Sequence, residues 1–122
     1  MDVLWRLLPA HRARRWCISM KLIRTLSEKI EDEISDAREY VKLALEVRDE
    51  HPELARSLYT ISTQEMEHMA MLHTAIVDLI DQYRKEKGEP PEAMKAVYDY
   101  LHKRHIDDAS EVKAIQTMYK GG

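Results

Sequence analysis

"DEHPE", residues 49–53, decides how this chain folds. Pro52 disfavours the helical conformation at His51, so a helix arriving from upstream must stop there. The same proline suits the first position of a new helix, where its missing N–H costs nothing, and Glu53 behind it is favoured by the helix dipole. The connection is too short for anything but a sharp reversal. Helices on either side of it therefore lie antiparallel, as a hairpin.

Upstream, the apolar spacing from Met20 is helical: Ile23, Leu26, Ile30, Glu33, Ala37, Tyr40, Ala44 and Val47 recur at three and four residues, widened by Ile34 and Val41. Thr25 and Glu28 have capping-box spacing, which predicts a helix start by Thr25 if not at Ser19. Downstream, a second helix runs from Pro52 to Lys87. Its stripe is Leu58, Ile61, Glu65, His68 and Met69, Leu72, Ile76, Leu79 and Tyr83, and Met66, His73 and Ile80 broaden it beyond a two-stranded seam. Gly88 and "EPPE" end it. From Pro91 a third helix carries Met94, Val97, Tyr98 and Leu101 on one face. It either continues through Val112, Ile115 and Met118 or breaks at "HIDD", where Asp108 and Glu111 have the spacing to cap a separate short helix. The fold class is all-α: a hairpin over 20–88 and a C-terminal helical segment over 89–122.

Composition agrees. Charged residues at 34% and apolar residues at 44% describe a soluble globular chain rather than a disordered one, and 122 residues suffice for one modest core. A net charge of −3 gives no electrostatic case for nucleic acid, and no apolar run approaches the ~20 residues that span a bilayer. The lone Cys17 cannot form an internal disulfide, which points to a reducing cytoplasm. Residues 1–19 differ from the rest: Arg6, Arg12, Arg14 and Arg15 stand against one acid, Asp2, and both tryptophans are here. Their apolar stretches are too short and interrupted for a secretory signal. The expectation is a basic leader outside the fold, with Met20 as the native start; a partner-binding arm is the competing reading.

Two stripes contain residues that do not belong in an apolar core. Glu33 sits between Ile30 and Ala37, and Glu65 with His68 interrupts helix two. An ionised carboxylate in such a place costs several kcal/mol unless something compensates it. Neither stripe holds a lysine or arginine. A metal cation would serve, with oxygen and imidazole donors. At ~1.5 Å per residue, Glu33 lies roughly 24 Å from the end of helix one, and Glu65 and His68 lie roughly 18 and 22 Å from the start of helix two. All three polar residues therefore fall at nearly one height on facing helices.

A glutamate on one helix and Glu-x-x-His on its neighbour is half the ligand set of the di-iron and di-manganese carboxylate bundles. No second Glu-x-x-His follows in 89–122, so the other half must come from a second copy around a two-fold axis. Residues 22–87 resemble a ferritin-like hairpin, in particular the encapsulated-ferritin type, in which each subunit carries half a ferroxidase centre. The resemblance rests on Glu33, Glu65 and His68, and on Tyr40, which matches a tyrosine near the metal in that group. It implies a homodimer or higher homo-oligomer forming a four-helix bundle, two iron ions per dimer, oxidation of Fe(II) by oxygen, and storage in an encapsulating shell. The ending "TMYKGG" differs from the short motif that docks such proteins in their shell. Manganese and zinc accept the same donors. Glu65 is the glutamate expected to bridge the two ions, with Tyr40 behind the ligands.

Other candidates read more plainly. Glu31 and Asp36 are expected to be solvated, His51 to lie in the loop, and His73 at the core edge. His102 and His105 form His-x-x-His, which can bind zinc or nickel but is expected simply to be exposed. No serine sits in a nucleophile elbow and there is no glycine-rich phosphate loop. The competing function is a metal-free helical adaptor or assembly protein, in which Glu33, Glu65 and His68 hydrogen-bond across a subunit interface and fix its register.

Overall fold

A computed structural model of the protein describes residues 10–121, with side chains from residue 20 onward. Three helices make up the described chain: α1 over Ala10–Val47, α2 over Pro52–Lys87 and α3 over Glu92–Gly121. The reversal falls where Pro52 places it, and α2 spans the predicted residues. Helix α1 begins earlier than expected, so Thr25 is not a cap. It lies inside the helix and its hydroxyl donates to the Lys21 carbonyl at 2.9 Å. The third helix does not break at "HIDD"; it is continuous through Asp108 and Glu111. Of the leader read over residues 1–19, residues 10–19 continue α1 as helix; residues 1–9, and the side chains of 10–19 including Cys17, lie outside the described residues.

α1 and α2 pack antiparallel along a line of small residues. Ala37, Ala44, Ala55 and Ser62 are all fully buried, and the Ser62 hydroxyl donates to the Ala37 carbonyl at 2.7 Å. Small side chains let the two backbones approach, and the hydroxyl is satisfied at the closest point. Around that line Ile30, Ile34, Val41, Met66 and Ile76 are buried, each such side chain contributing about 1.5–3 kcal/mol relative to exposure.

α3 covers one side of the hairpin. Met94, His105, Ala109 and Val112 form its buried stripe. Gln116 Nε2 donates to Ser62 Oγ at 3.0 Å, Tyr119 stacks on Tyr59 with ring centroids 4.7 Å apart, and Arg48 Nη1 donates to the Tyr119 carbonyl at 3.3 Å. On the other side, Leu26, Glu33, Tyr40 and Val47, spaced by sevens on α1, are half-buried, as are Ile61, Glu65, Leu72 and Leu79 on α2. Leu22 and Leu54, three helical turns from Glu33 and Glu65, are 43% and 50% exposed. Among the described residues no helix is long and apolar enough to cross a membrane.

Candidate metal centre

Glu33 and Glu31 are two residues apart, hence about 200° round the helix. Glu31 approaches His105 of α3, so Glu33 is directed to the flank that α3 does not cover. On α2, Tyr59, Ser62 and His73 meet α3 along this stretch, and the helical period turns His68 well away from them and Glu65 to one side. Both helices thus present their polar intrusions on the same side, at the common height expected from the hairpin.

There the three side chains converge. His68 Nδ1 lies 3.6 Å from Glu33 Oε2 and 3.9 Å from Glu65 Oε2. One donor atom from each residue falls within 4.8 Å of the other two, and among the described residues this is the one group of three or more that does so. The sequence placed all three residues in the core. The two glutamates stand instead at its edge, their side chains 25% and 20% exposed, and His68 is exposed at 55%, because the α1–α2 seam is filled by the alanines and Ser62. One atom is fully enclosed: Glu33 Oε2 is buried and accepts no hydrogen bond.

The donor set defines what can bind. Two carboxylates this close repel unless a proton or a cation lies between them. An orphaned, buried carboxylate oxygen facing an imidazole and a second carboxylate fits a divalent ion of intermediate hardness, such as Fe(II), Mn(II) or Zn(II). Three donors from one chain leave coordination positions open. Tyr40, two turns along α1 from Glu33, is half-buried and packs against the buried cluster of Ala44, Ala55 and Leu58. That places its ring beside the flank, toward the reversal.

The remaining candidates divide. His51 is exposed and caps α2 without a side-chain hydrogen bond, and His73 is half-buried at the core edge. Neither histidine of the His-x-x-His pair is exposed: His102 is half-buried, and the His105 side chain is 7% accessible and lies 3.5 Å from Glu31 Oε1, which is therefore not simply solvated. A signal for this was present in the sequence. Continuing the α3 stripe by fours from Leu101 lands on His105 and Ala109, and then, three further on, on Val112. No protein family, curated protein or solved structure matches the sequence.

Proposed function

We propose that this chain is a ferritin-like subunit that pairs with a second copy and takes Fe(II) as substrate for oxidation at a two-metal site between them. The observation that carries this reading is the meeting of Glu33, Glu65 and His68 on a flank that α3 leaves uncovered. A two-fold axis along that flank brings the mirror set of donors and covers Leu22, Leu26, Leu54 and Leu72 at once. Glu33 and Glu65 neutralise the bound charge, and the neutral imidazole of His68 completes each half-site. Glu65 would help hold both ions of the pair. Iron held there supplies the electron transfer to oxygen; the protein's part is to bind, orient and limit water. Tyr40 closes the site toward the reversal.

A second reading is favoured by one distance pair: His68 Nδ1 is within 3.9 Å of both carboxylates. A protonated His68 can offset their charge without metal, and the three residues then act as a polar register mark in an assembly protein. Metal analysis of the native oligomer together with its mass separates the two. The proposal expects near one iron or manganese per chain in an even-numbered oligomer, and loss of that metal in Glu65→Ala combined with His68→Ala. Wild-type protein that remains metal-free after anaerobic Fe(II) addition sinks it.

A further inference from the structure

Across the hairpin from Glu33, three imidazoles meet. His73 of α2 and His102 of α3 stack with ring centroids 4.4 Å apart and planes 13° from parallel. Tyr98 stacks on His102 at 5.8 Å. One turn further along α3, His105 Nε2 is buried with no hydrogen-bond partner, 3.5 Å from Glu31 Oε1 of α1. The three rings line a single cavity of about 400 Å³ with Ile30, Met69 and Lys113. The cluster therefore draws on all three helices.

Neutral rings in this arrangement act as aromatic packing. Protonated ones do not, because two imidazolium ions in a stacked, part-buried pair repel each other and lose hydration. The charges facing the cluster are few. Glu31 approaches from α1, and Lys113 lines the cavity from α3. Behind Tyr98 stand Asp81 and Arg84 of α2 and Asp99 of α3. Glu31 can accommodate one proton, on His105. A further proton must go to His73 or His102, against the neighbouring imidazolium and the Lys113 ammonium.

We infer that His73, His102 and His105 form an acid-sensitive latch for α3, in which the neutral rings seat α3 on the hairpin and a second proton loosens it. Burial first, then the charges of His102 and His105, hold the His73 pKa below its ordinary value. A ring released from the cluster takes its proton near the ordinary value of about 6.5, whereas the seated ring resists it. The latch's contribution is thus fully present above that pH and is lost as pH falls below it. The other contacts named between α3 and the hairpin, Gln116 with Ser62, Tyr119 with Tyr59 and Arg48 with the Tyr119 carbonyl, carry no group that titrates in this range. Acid therefore acts on the middle of α3. The inference is independent of the metal reading.

Hydrogen exchange by mass spectrometry tests it, on the metal-free full chain at about pH 7.5 and about pH 5.5, one unit either side of the ordinary histidine value. After correction for intrinsic exchange, protection in α3 should fall more than in α2, by up to about tenfold for each ring that takes its proton only on release. The double variant His73→Phe with His102→Phe keeps an aromatic stack that cannot titrate, and should reduce that excess to roughly twofold or less. His68 is untouched in this variant, so it cannot account for the difference. Should the added bulk prevent folding, wild-type imidazole titration by NMR decides: proton uptake by the three rings must coincide with loss of α3 protection. Rings that titrate while α3 stays protected overturn the latch, as does equal loss across all three helices or an undiminished excess in the double variant.

Discussion

Glu33 Oε2 is a buried carboxylate oxygen that accepts no hydrogen bond, beside an imidazole nitrogen at 3.6 Å and a second carboxylate. Such an atom costs stability in the isolated chain, and what restores that cost is the chemistry of the site. Glu33→Gln keeps the shape and removes the charge. With metal as the compensating partner, the variant should lose bound iron at least about tenfold, since outright removal of a coordinating charge exceeds the 10–100-fold cost of disturbing the residues behind it. The metal-free protein, meanwhile, should keep its thermal stability within about 1 kcal/mol, because the repulsion with Glu65 is relieved. With a protonated His68 as the partner, the same change breaks a charged contact and lowers the melting temperature without touching metal content. Calorimetry on the metal-free protein, paired with elemental analysis, reads both. These three residues were legible in the sequence because a carboxylate in an apolar stripe is conspicuous and the hairpin geometry sets its height. The meeting of the three histidines was not. The α3 stripe passes through His105 and His73 lies at a core edge, but only the seating of α3 on α1 and α2 brings them together with His102.

The helices follow from local chemistry wherever a backbone constraint is strong. Pro52 fixes the first reversal, and the second turns on Gly88, whose φ of 87° and ψ of −168° lie in a region essentially reserved for glycine. Its N–H donates to the Arg84 carbonyl at 2.9 Å, closing α2 before "EPP" redirects the chain into α3. Gly88→Ala should therefore destabilise the protein by about 1–3 kcal/mol, seen as a lower urea midpoint at unchanged slope. Weaker signals failed. The capping-box spacing at Thr25 and Glu28 is overridden because α1 already runs through it, and Thr25 spends its hydroxyl on Lys21. Asp108 and Glu111 likewise cap nothing. Ala109 and Val112 are buried in the α3 stripe, so packing carries the helix across "HIDD", and Glu111 instead reaches Arg38 of α1 at 3.6 Å.

Across the whole molecule, the hairpin has two grooves and α3 fills one. In the other, the residues spaced by sevens on α1 are half-buried rather than buried, with Glu33, Glu65 and His68 midway and an exposed leucine toward each end. A single chain gains nothing from Leu22 and Leu54 in water; a second hairpin laid across them gains their burial, about 1.5–3 kcal/mol for each leucine fully covered. Leu22→Lys combined with Leu54→Lys puts charge into that contact while leaving the monomer core intact, since both positions are exposed already. The monomer's helix content and unfolding midpoint should stay close to wild type. Light scattering should show the mass falling to that of one chain. Iron content should fall with it, although Glu33, Glu65 and His68 are unchanged, because each half-site loses the donors of its mirror copy. An unaltered oligomer would move the interface elsewhere on the molecule. A monomer that still bound one ion per chain with undiminished affinity would show instead that the three residues suffice without a partner.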